Sequence, residues 1–261
     1  MPNYYALKFG SYSYADGNAD GARWREGHSV RPGVVMVPRS NIARAIPGKL
    51  APRQVTIEGT IAGDAWGNQG QLRLAVDAFE AAHAEGYGQL SRDDDRYLMA
   101  EVRSCGTGDW DGLLRLDYTV QFEAVDPYYY DVAETTDTVA NPVSGAPHVI
   151  INTGTAPASP LYRFTASAGG TGHATAPSLT LLRTAPTVQT FTLTIPTALA
   201  AGDVIEVDTL EQTCTLNGAN RMSWHSGDRL GLEPGSNSLS LTLANGLALS
   251  AWSTIYRARY L

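Results

Sequence analysis

Lysine is scarce in this chain, and no run of Lys or Arg occurs along it. Nucleic-acid binders draw affinity from clustered cations on phosphates, so a protein that grips DNA or RNA is not expected. There are only two cysteines, Cys105 and Cys214, in opposite halves of the chain. That is too few for a disulfide framework, and both read as free thiols in a reducing cytosol. No stretch approaches the roughly 20 apolar residues that span a bilayer, so no membrane partner is expected. The start, Met1-Pro-Asn-Tyr-Tyr, lacks the basic-then-apolar pattern of a signal peptide, and synthesis and folding in a cytoplasm are expected.

Catalytic and metal motifs are missing too. The five histidines (His28, His83, His148, His173 and His225) form no H-x-x-x-H, and no C-x-x-C or G-x-x-x-x-G-K occurs. Ser223, His225 and Asp228 fall within six residues, whereas a triad is assembled from distant segments, and there is no G-x-S-x-G elbow. The expectation is no enzyme, no cofactor and no metal.

What the chain does have is 261 residues, 43% of them hydrophobic, rich in Thr, Val, Leu, Tyr and Gly. β-branched and aromatic residues suit pleated sheets, and Gly and Pro punctuate them with turns. The net charge of −7 is uneven: residues 1–134 hold 13 basic and 19 acidic residues, and residues 135–261 hold 6 and 7. Such acidity suits a protein that surrounds DNA and lets it slide.

The two halves follow different patterns. In the first, Val55, Ile57 and Ile61 alternate with Thr56, Glu58 and Thr60, a half-buried strand with Gly59 on its apolar side, where a neighbour can approach closely. Leu72, Ala75, Val76, Phe79 and Ala82 then recur at helical spacing, with Asn68 as candidate N-cap and Gly86 and Gly88 as the stop. Residues 87–91 and 96–104 read as a hairpin. A long amphipathic strand follows, with Leu114, Leu116, Tyr118, Val120, Phe122 and Ala124 on one side, and it stops at Asp126-Pro127. Residues 17–25 and 33–48 read as long loops, and residues 132–147 as a boundary stretch. Beyond His148, short strands recur every eight to twelve residues, separated by Asn217-Gly218, Pro234-Gly235-Ser236-Asn237 and Asn245-Gly246. That is the grammar of an antiparallel β-sandwich.

Three stretches carry a family likeness. Phe122-Glu-Ala-Val-Asp126-Pro127-Tyr128 resembles the F-x-A-x-D-P-Y ending of the amino-terminal domain of siphophage distal tail proteins. Arg53–Ile61 followed by a helix resembles that domain's strand-then-helix unit. Residues 215–220, 226–228 and 232–237 are similar to the closing hairpins of the family's galectin-like domain. The likeness implies a mainly β protein: an α+β, tail-tube-like sheet or split barrel with one helix at 1–134, then a galectin-like sandwich at 135–261. It further implies a homo-hexameric ring in the virion's tail tip, assembled in the host cytoplasm. The ring would bind the tail tube protein above and a tip or hub protein below, with a tape measure protein as a further candidate partner. DNA would pass through its channel without specific binding.

Several residues are candidates for contacts. Asp93-Asp94-Asp95 is either a lumen-facing turn or a solvated hairpin tip; the alternating ligands of a calcium loop are missing. Tyr128-Tyr129-Tyr130 would serve as a docking surface or as a plug between domains. Gly59 is a candidate interface position. Trp224 and His225, near Asn217, Asn220 and Arg221, suggest sugar contact. Two rival functions follow: a carbohydrate-binding module of a receptor-binding tail protein, or a tail-tube protein with a decorating β-domain.

Overall fold

The computed structural model describes residues 8–9, 12–13, 19–27, 33–36, 43–46, 52–62, 69–84, 86–91, 95–108, 115–169 and 176–261. The chain forms two compact units, Met1–Val132 and Ala133–Leu261.

The first unit contains β1 (Lys8–Phe9), β2 (Tyr12–Ser13), β3 (Ala19–Gly27), β4 (Gly33–Met36), β5 (Ala43–Ile46) and β6 (Arg53–Ala62). The helix α1 (Gln69–Ala84) and strands β7 (Tyr87–Ser91), β8 (Arg96–Thr107), β9 (Arg115–Ala124) and β10 (Tyr129–Asp131) complete it. One antiparallel sheet runs in the order β2-β1-β7-β8-β9-β6-β3, with β10 also beside β8. The β4–β5 hairpin pairs only with itself.

Alternation along β6 and β9 puts Val55, Ile57, Ile61, Leu116, Tyr118, Val120 and Phe122 on one side, each at 2% exposure or less. On this side α1 brings in Phe79, whose ring centroid lies 4.7 Å from that of Tyr118 and 4.4 Å from that of His83. Phe9 of β1 closes the cluster against Phe122 at 4.9 Å. Burial in this aromatic nest pushes the His83 imidazole pKa down, because the charged form loses water; a bond to the Phe79 carbonyl opposes the shift in part. The rest of the expected helix face is shallower. Ala75, Val76 and Ala82 are half-buried, and Leu74 is 68% exposed. The proposed cap Asn68 lies outside the described residues.

The expected loops need correction. Residues 19–27 form the strand β3, paired along β6, and the 33–48 stretch holds the β4–β5 hairpin. For β3, the partner supplied by the distant β6 overrides a local sequence that has little alternation.

The second unit contains β11 (Thr135–Ala140), β12 (Pro147–Asn152), β13 (Leu161–Gly169), β14 (Ser178–Ala185), β15 (Gln189–Thr194) and β16 (Val204–Asp208). It continues with β17 (Thr213–Leu216), β18 (Ala219–Asn220), β19 (His225–Gly227), β20 (Gly235–Ala244) and β21 (Leu247–Tyr256). The two sheets run β11-β21-β13-β16-β17-β18 and β12-β20-β14-β15-β19. Tyr162, Phe164, Ile205, Val207 and Trp252 from one sheet join Leu179, Leu181, Phe191, Leu193, Leu239 and Leu241 from the other in a single buried core. This is a β-sandwich, as the strand spacing implied. Both Asn-Gly pairs form turns with positive φ at each residue: 49° and 80° at Asn217-Gly218, which closes the β17–β18 hairpin, and 57° and 74° at Asn245-Gly246, which carries the chain from one sheet to the other.

The boundary stretch also needs correction: β11 lies inside it and pairs with β21 over six residues. As an edge strand of half-buried and exposed residues, β11 has no need of alternating apolar side chains, so periodicity missed it.

Candidate functional site

The side of the first sheet opposite α1 is polar. Register aligns Gln54, Thr56, Glu58 and Thr60 of β6 with Glu123, Gln121, Thr119 and Asp117 of β9, and Glu101 of β8 with Glu123. Thr60 donates to Asp117 at 2.7 Å. Arg103 of β8 lies two residues beyond Glu101 on this same face, next to a register shift between Val102 and Ser104. There its Nε donates to Glu123 at 2.6 Å, and its Nη1 lies 3.1 Å from Glu101. The Glu123 hydrogen bond and the two negative charges raise the guanidinium pKa further. Register also sets Arg23 of β3 opposite Glu58, Arg115 opposite Ala62, and Lys8 opposite Ser91. With the Arg103 guanidinium beside Glu101 and Glu123, the face is of mixed charge.

The sequence candidates fall in separate places. Asp93 and Asp94 lie outside the described residues; Asp95 is exposed, and its carbonyl accepts the Val132 N–H at 2.8 Å. Asp126 organises the tyrosine run, accepting the Tyr128 N–H at 3.4 Å and the Tyr130 hydroxyl. Tyr130 stacks on Tyr97 at 5.7 Å, and Tyr129 is buried beneath the Arg53 guanidinium, 4.7 Å from its ring centroid. Much of the tyrosine surface is thus used in packing the first unit's own chain. Gly59 sits directly across from Tyr118, whose ring takes the space a side chain would occupy.

The sugar-contact residues are not presented as a sugar would need them. Trp224 ends a single 3-10 turn and is 6% exposed within the sandwich core, so its indole face is closed to stacking. His225 lies on β19 with its ring 5.3 Å from Phe191. Burial, with the Arg229 charge nearby, lowers its pKa. Among the described residues, no three His, Cys, Asp or Glu side chains gather as a metal cluster.

Sequence reading missed a buried polar framework in the second unit. Arg183 is fully buried on β14 and donates to the Thr187 carbonyl at 3.1 Å, to the Gly231 carbonyl at 2.5 Å and to the Thr187 hydroxyl. Glu233 lies 3.6 Å from it. Tyr162 donates to the Leu230 carbonyl at 3.0 Å, Asn152 to Leu232 at 3.0 Å, and Asn237 to Glu233 at 2.8 Å. Four side chains from four strands thus fasten the segment Leu230–Glu233. The signal was available in part: Arg183 follows Leu179 and Leu181 at period two, which places a charge on the inward face.

This two-unit antiparallel β architecture, one helix-backed sheet and one sandwich, has a counterpart among solved structures. The chain superposes on the crystal structure of the Dit (gp 19.1) protein of phage SPP1, described as a paradigm of the hub adsorption apparatus in phages infecting Gram-positive bacteria. The match has a TM-score of 0.71 at 17% identity, over 98% of this chain and 99% of that one. Chains in two activated baseplate structures of phage p2, with calcium and with strontium, are more remote. Their TM-scores are 0.46 and 0.47 at 10% and 11% identity, over 94% and 97% of this chain and 92% and 97% of theirs. No curated protein sequence matches. Residues 153–260 match the family model of the siphovirus-type tail component, C-terminal domain. The resemblance read from the sequence agrees with both matches: residues 153–260 are similar to that tail component's C-terminal domain, and the fold is that of the SPP1 Dit structure.

Proposed function

We propose that the chain is a non-enzymatic ring-forming adaptor, a homo-hexamer that joins the tail tube protein to a tip or hub protein in the virion's tail tip. The observation that carries this reading is the open sheet of the first unit. Among the described residues it ends on one side in the nine-residue strand β3 and on the other in the short β2. An open edge of that length invites pairing with another chain, and in a closed ring each copy's edge meets its neighbour's. With α1 on one side, the polar side is the natural channel wall: wettable, with the Arg103 cation set between the Glu101 and Glu123 carboxylates.

Sedimentation velocity of the purified chain over a concentration series tests the reading. A discrete species of six copies supports an adaptor, open-ended polymer growth supports a tube protein, and monomers at every concentration count against ring formation. No observation favours the sugar-binding reading, because Trp224 is closed off.

A further inference from the structure

The channel-wall reading can be deepened at one group. Among the described residues of β6, β8 and β9, Arg103 is a cation on the polar face, half-exposed and already engaged by carboxylates. It lies between two carboxylates, 2.6 Å from Glu123 and 3.1 Å from Glu101. In register these two acids face each other directly across the β8–β9 pair. Two carboxylates in that position would repel, so a guanidinium between them satisfies all three groups.

We propose that Glu101 and Glu123 capture Arg103 so that the wall stays hydrophilic yet cannot bind the DNA backbone; this rests on the channel reading above. A free arginine ring would act differently. Each guanidinium that neutralises a phosphate releases counterions, and six copies around a channel would sum to a brake on a moving duplex. Capture leaves the number of charges high and the number of available phosphate partners low.

The test uses the full chain and a mixed-sequence double-stranded DNA fragment in a salt-titrated gel-shift assay. The double variant E101Q/E123Q frees Arg103 and is expected to bind DNA at least about tenfold more tightly than the parent near 50 mM salt, with the gain lost toward 200 mM. Adding Arg103→Ala to that variant is expected to abolish the gain. The single change Asp117→Asn also removes a negative charge from the same face but leaves Arg103 captured, so it is expected to have little effect. Equal DNA binding by parent and E101Q/E123Q overturns the proposal, as does an equal gain from Asp117→Asn, which would make net charge the cause. Ring assembly of each variant is scored separately by sedimentation. Loss of rings in the parent counts against the adaptor reading alone, and the same order of variants is then expected for the dispersed chain.

Discussion

Tyr118 lies over Gly59 across the β6–β9 pair so closely that a Cβ at position 59 would fall 2.6 Å from the Tyr118 Cζ. The ring cannot swing away cheaply, because Tyr118 is 2% exposed and packs on Phe79. Gly59→Val is therefore expected to destabilise the first unit by about 1–3 kcal/mol, the usual range for overpacking a core. Hydrogen exchange resolved by segment should show faster exchange in β6 and β9 and unchanged protection in β13, β14 and β20. Unaltered protection in β6 and β9 would show that the ring adapts.

Arg183 provides the corresponding test in the sandwich. Replacing it with Met keeps much of the volume but leaves the Thr187 and Gly231 carbonyls without their donor and Glu233 without its counter-charge. Breaking a buried ionic network from one side typically costs about 3–5 kcal/mol. Lysine should restore little of it, since one ammonium cannot reproduce the guanidinium's planar fork. Urea unfolding followed by tryptophan fluorescence would measure both variants.

How much of this was legible beforehand depended on the kind of signal. Regular alternation, as in Val55-Ile57 and Leu116–Phe122, and Asn-Gly turns announced the strands, the sandwich and the helix, because each obeys a short-range rule. β3 and β11 did not, since an edge strand takes its conformation from a partner tens of residues away. Sites fared worse than elements. Trp224 and His225 looked like a binding pair from composition, but sequence adjacency says nothing about which side of a sandwich a ring enters. Arg103 was legible only in part: alternation puts it on the side of Glu101, but its bond to Glu123 depends on the register of a strand twenty residues further along the chain.

His83 sets a pH dependence for the first unit. Its folded pKa lies below the ordinary value of 6.5, so below that value the unfolded chain binds more protons. The first unit should be at full stability above about pH 6.5 and lose it as pH falls toward the folded pKa. His83→Phe should flatten that part of the profile in a pH series of thermal melts. An unchanged slope would mean that another group governs it.

The two thiols should differ in reactivity. Cys105 is exposed, with its pKa raised by partial desolvation and the Glu80 charge. Cys214 is buried, and its pKa is pushed up to about 11. Iodoacetamide is expected to label one thiol per native chain, faster as pH rises, and two in denaturant. Labelling of both in the native chain, read by mass spectrometry, would show that the strand carrying Cys214 opens readily.

The central claim, a closed ring built on the first unit's sheet, is tested most directly by negative-stain electron microscopy of the purified chain with symmetry-free class averaging. The account predicts six-fold rings with a central hole and peripheral lobes. Fields of single particles at concentrations where sedimentation has reached its plateau, or long tubes, would contradict it.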